Sequence, residues 1–82
     1  MYLKTKYVIT GDREIIIFPE LIEHSKFKRF NPTSAGFISI GVNKEGNPTC
    51  NCYGESISLG LTSNSEEDTE IAKRQLNMLD DY

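Results

Sequence analysis

The sequence predicts an α+β fold: a small antiparallel sheet of about five short strands, with one C-terminal helix packed on a face of it. Three observations predict it. Short runs with an apolar residue at every second position recur from residue 3 to residue 61, turn residues separate them, and the last segment alone repeats its apolar residues at helical spacing. A small, partly open barrel capped by the helix is the alternative arrangement of the same elements. The 82 residues leave room for a single domain, 1–82, with one modest core.

Leu3, Thr5, Tyr7 and Ile9 alternate with Lys4, Lys6 and Val8, which predicts a half-buried strand. Thr10-Gly11-Asp12-Arg13 supplies turn chemistry. Glu14 to Phe18, rich in β-branched residues, predicts a second strand that Pro19 ends, and the two form a hairpin. Residues 19–33 read as a short helix or an irregular crossing. Pro19 suits a first helical position, Leu21, Ile22 and Ser25 fall on one side, and Asn31-Pro32 closes the segment.

Three further strands are predicted at Phe37–Val42, Thr49–Tyr53 and Ile57–Leu61. Asn43–Asn47 joins the first pair, and Tyr53-Gly54-Glu55-Ser56 makes a tight hairpin between the second. Asn31–Gly36 reads as a small-residue loop whose N–H groups can face an anion, although it lacks the phosphate-loop pattern. The helix begins with Ser65 as N-cap and an acidic first turn, with Asp68 near a capping-box position. Ala72, Leu76 and Leu79, beside Ile71, Met78 and Tyr82, form its predicted buried face. A charge at Leu76 should then cost about 3 kcal/mol. Asp80-Asp81 oppose the helix dipole, which predicts fraying from Met78.

The net charge of −3 is unevenly spread. Residues 1–35 carry six Lys/Arg against four Asp/Glu, whereas residues 65–82 carry two against six. That distribution argues against duplex nucleic acid, which selects a broad basic face. Cys50 and Cys52 leave the same face of a strand with Cα atoms roughly 6.5 Å apart, at the limit of disulfide geometry. They are expected as free thiols, which points to a reducing, cytoplasmic setting. With His24 the only histidine, no zinc set is expected, and no cofactor. The longest apolar run, Ile15–Phe18, is too short to span a bilayer, so no membrane association is expected.

No catalytic motif occurs, and the sequence predicts a protein that is not an enzyme. A hydrolase built on His24, with Ser25 and Glu23 or Glu55, lacks an identifiable third group to orient it. The segment His24-Ser25-Lys26-Phe27-Lys28-Arg29-Phe30 interleaves cations with aromatics, the chemistry that binds phosphates and stacks bases. The candidate ligand-binding residues are therefore His24, Lys26, Lys28, Arg29 and Phe30, with Ser34, Tyr53 and Ser56 as hydrogen-bonding or stacking partners. Protonation of His24 below pH 6.5 would add to the patch. The competing structural reading makes Phe27 and Phe30 core anchors and leaves the cations solvated.

In size, acidity and strand-rich build, the chain resembles small cytoplasmic proteins of bacteria and their phages. Some of these act as oligomeric sponges for nucleotide signals of host defence. That resemblance implies a non-enzymatic homo-oligomer sequestering a small anionic, nucleotide-like ligand. The alternative expectation is a protein-interaction or inhibitor module working through a strand edge or the helix face.

Overall fold

The computed structural model describes residues 4–78. Strands β1 (Thr5–Ile9), β2 (Ile15–Pro19), β3 (Ser34–Val42) and β4 (Pro48–Tyr53) form one antiparallel sheet in the order β2-β1-β3-β4. A two-stranded hairpin, β5 (Glu55–Ser56) with β6 (Leu61–Thr62), follows, and helix α1 (Ser65–Gln75) comes last. Among the described residues the strands form no closed barrel, and the α+β expectation holds.

Period-2 alternation divides the sheet into two covered faces. Tyr7, Ile9, Ile15, Ile38, Cys50 and Cys52 face α1 and pack with its Ile71 and Ala72. Val8, Phe18 and Ala35 form a second cluster on which Phe27, Leu59 and Leu61 close. Phe27 belongs to a 3₁₀ helix, His24–Phe30, so residues 19–33 do hold a short helix. It starts at His24 and not at Pro19, which ends β2, and Leu21, 94% exposed, lies outside it.

Helix α1 crosses the sheet from edge to edge. Ten rises of 1.5 Å span about 15 Å, close to the width of four strands. At one end, Ser65 Oγ donates to the Cys52 carbonyl at 2.5 Å and Cys52 N–H donates to Thr69 Oγ1 at 2.9 Å. At the other, the Gln75 amide takes both backbone groups of Ile15, each at 2.8 Å. The outward polar groups at these points of β4 and β2, which would otherwise invite strand addition, are satisfied by helix side chains.

Several expectations are corrected. Ile57–Leu61 is not a strand: Ile57–Gly60 is the turn between β5 and β6, and Ile57 is 87% exposed there. Tyr53–Ser56 is not a hairpin either, since β5 pairs with β6 and not with β4. Ser34, Ala35 and Gly36 are the buried start of β3, not a loop. Small residues stand there because backbone presses close: a Cβ on Gly36 would meet the Tyr53 carbonyl oxygen at 2.4 Å.

The helix also differs from its prediction. Asn64, not Ser65, is the N-cap, because Ser65 spends its hydroxyl on β4. The helix stops at Gln75 through Asn77, which adopts φ +60 and is followed by Met78 N–H donating to the Lys73 carbonyl at 2.7 Å. This Schellman arrangement turns Met78 back onto the core. Leu76 is consequently 38% exposed, and burial passes to Asp68, Ile71 and Ala72. Leu79, Asp80, Asp81 and Tyr82, like Met1–Leu3, lie outside the described residues.

Candidate functional site

The 3₁₀ helix explains the spacing of its own sequence. With three residues per turn, side chains at i, i+3 and i+6 stack in one stripe. His24, Phe27 and Phe30 form the inward stripe, ranging from buried to half-exposed. Lys26 and Arg29 make a second stripe and Lys28 a third, and all three cations are exposed. Asn31 ends the helix with φ +54. The Arg29 guanidinium lies 5.0 Å from the centre of the Phe30 ring, a cation–π contact. Among the described residues the only ion pair joins Arg13 to Glu67, so the ridge cations have no acidic partner there.

Phe30 starts an aromatic row across the sheet. Phe27 lies 6.3 Å from Phe30 and 4.3 Å from Phe18. His24 meets Phe18 and Phe37 edge-on at 5.5 and 6.1 Å, and Phe37 stacks on Tyr53 at 5.8 Å. His24 is 5% exposed, and its Nε2–H donates to the Gly36 carbonyl at 2.9 Å.

Burial pushes the His24 imidazole below its ordinary pKa of 6.5, against the opposing pull of the Gly36 carbonyl. The expectation that His24 charges the ridge below pH 6.5 is therefore corrected. In the unfolded chain the ring takes a proton near pH 6.5, while the folded chain resists until lower pH. Stability should be full above that value and fall as pH drops below it. Thermal unfolding followed from pH 7.5 downward should show this loss, and His24→Gln should flatten it. A wild-type midpoint that rises on acidification would contradict the burial of this ring.

The eight predicted residues do not converge. Ser34 lines a polar cleft of about 550 Å³ at the start of α1, whereas His24 and Ser56 line another of about 300 Å³ bounded by Lys6, Glu23 and Glu55. Glu23 and Glu55 thus share a cleft with His24, yet the ring nitrogen Nε2 is engaged by backbone. Lys26, Lys28, Arg29, Phe30 and Tyr53 line neither cleft.

Behind the lining of the first cleft lies a buried hydrogen-bond network. Tyr7 is fully buried, and its hydroxyl donates to Asp68 Oδ2 at 2.5 Å while accepting from Ser63 Oγ at 2.5 Å. Asn64 N–H donates to the same carboxylate oxygen at 3.0 Å. Burial, reinforced by the Asp68 carboxylate beside it, drives the Tyr7 phenol far above its ordinary pKa. The signal for it is Asp68 itself, the one of the three acids in the first turn of the helix that falls on its buried face.

Cys50 and Cys52 are both free and buried. Burial raises the pKa of each, that of Cys52 to about 11, so neither is a reactive thiolate near neutral pH. No group of three or more His, Cys, Asp or Glu able to hold a metal occurs among the described residues. No helix among them is long and apolar enough to cross a membrane.

The chain is thus a small α+β protein whose sheet is covered on both faces and which carries a cationic 3₁₀ ridge beside a polar cleft. No protein family, curated protein or solved structure matches it.

Proposed function

We propose that this is a non-enzymatic binding protein that captures a small anionic, nucleotide-like ligand on the ridge Lys26-Lys28-Arg29-Phe30, as a cytoplasmic homo-oligomer. One observation carries the reading. Three exposed cations without acidic partners among the described residues stand beside a half-exposed ring that already holds a guanidinium. Phosphate oxygens would take charge-assisted hydrogen bonds from Arg29 and the lysines, and Phe30 would offer a stacking edge. The ridge residues line neither cleft, so a second copy would supply an opposite wall for the ligand. Exposed Ile40 and Val42 on β3 offer apolar area for such an assembly.

A thermal-shift panel of nucleotides and cyclic dinucleotides tests the reading, because a ligand that binds only the folded state raises the unfolding midpoint. Lys28→Glu with Arg29→Glu should abolish the rise while leaving the unliganded midpoint nearly unchanged, since exposed charges contribute little to stability. A variant that responds like wild type would move the ligand elsewhere. The exposed cations without acidic partners among the described residues also favour one second reading, an interaction module for an extended acidic partner. The helix face is closed by the sheet and the strand edges are engaged at Ile15 and Cys52. Such a partner would therefore meet the ridge.

A further inference from the structure

We infer that the polar cleft at the start of α1 is a second binding site, independent of the ridge, for a neutral polyhydroxyl ligand: a sugar ring or the ribose of a nucleoside. The cleft holds about 550 Å³, within the usual range for small-molecule sites. Its lining is chemically specific. Asp68, 2% exposed, lines the cleft and accepts from Tyr7 and Asn64 on Oδ2 alone. Among the described residues its other oxygen, Oδ1, has no hydrogen-bond partner. No buried side-chain oxygen among the described residues is unpaired, so Oδ1 is the part of this carboxylate that the cleft reaches, a strong acceptor that selects a hydroxyl able to donate to it.

The remaining walls fit the same ligand. Ser34, Thr62 and Ser63 supply hydroxyls that donate or accept, and Arg13 supplies a guanidinium that only donates. Each hydroxyl of a vicinal diol does both, so a diol satisfies such a mixed lining. With Arg13 against Glu67 and Asp68 the lining carries one net negative charge, which disfavours an anion. No aromatic side chain lines it to stack a base, and no third metal-ligating side chain joins the two carboxylates.

Arg13 adds an independent reason. It occupies the turn between β1 and β2 with φ +62, a left-handed conformation that glycine adopts without penalty. What an arginine brings to that strained position is its guanidinium at the mouth of the cleft, held there by Glu67.

Amide NMR titration of the full chain with D-ribose, D-glucose and adenosine tests the inference, each at about 10 mM, where a millimolar ligand is largely bound. At least one should shift the Gly11, Ser34, Ser63 and Asn64 amides. Binding of D-glucose assigns the site to carbohydrates, and binding of ribose and adenosine alone assigns it to nucleosides. Arg13→Gly should keep or raise the unfolding midpoint and weaken that binding at least about fivefold, through loss of a donor. Lys28→Glu with Arg29→Glu should leave it unchanged, which separates this site from the ridge. If none of the three probes moves these amides, or if Arg13→Gly binds as wild type does, the inference is overturned.

Discussion

Replacing Asp68 by alanine is expected to destabilise the protein by about 3 kcal/mol, a lowering of the unfolding midpoint of roughly 12–24 °C for a domain of this size. The reason is the number of elements that meet at one carboxylate. Asp68 takes the Tyr7 hydroxyl from β1 and the Asn64 N–H at the start of α1, while Ser63 donates to the same tyrosine. Alanine leaves the Asn64 amide without an acceptor and the buried phenol with Ser63 Oγ as its one remaining partner. Asp68→Asn keeps one carbonyl acceptor and should cost less than half as much. Chemical denaturation of the three proteins checks the order, and equal stability of all three would show that Asp68 is not the anchor of the helix.

Gly36→Ala is expected to cost about 2–3 kcal/mol although it adds a single methyl group. That methyl would lie 2.4 Å from the Tyr53 carbonyl oxygen, a backbone atom that cannot swing away, and 3.3 Å from Ser63 Cβ. Gly36 pairs with Tyr7, so the displacement would fall beside the same hydroxyl network. Gly41 lies on the same strand and its Cβ would meet nothing nearer than Thr49 Oγ1 at 3.9 Å. Gly41→Ala should therefore be neutral within about 0.5 kcal/mol. A Gly36→Ala protein as stable as Gly41→Ala would contradict the close approach of the chain over β3.

Much of the sheet was legible because its signal is local. Alternation at residues 5–9, the β-branched run at 15–18, turn chemistry at 10–13 and 43–47, and the acids at 66–68 each name an element without knowledge of its neighbours. The errors arise where distant contacts decide. Ile57–Leu61 alternates like a strand, yet Gly60 takes φ +67 and Leu59 and Leu61 cap the far face of the sheet. Ser34–Gly36 looks like a loop because its residues are small, whereas their smallness answers to backbone packed against them. Leu76 satisfies the helical period, but Asn77 ends the helix before that position can be buried. Of the site residues, Lys26, Lys28, Arg29 and Phe30 do lie on one short 3₁₀ helix, but its three-residue period spreads them over three stripes: Lys26 with Arg29, Lys28, and Phe30. His24 was misjudged, since a period of three reads as a polar segment unless the stripe His24-Phe27-Phe30 is recognised. Gln75 on the β2 edge and Asp68 under the first cleft depend on partners about sixty residues away.

The central claim is that the ridge binds an anion, and calorimetric titration of a cyclic dinucleotide at two salt concentrations tests it most directly. The account predicts saturable binding to wild type that weakens as salt rises, because part of the attraction is screened. It also predicts loss of that binding in the folded Lys28→Glu, Arg29→Glu variant. Binding that is indifferent to salt and equal in both proteins, or no binding by wild type at low salt, would contradict it.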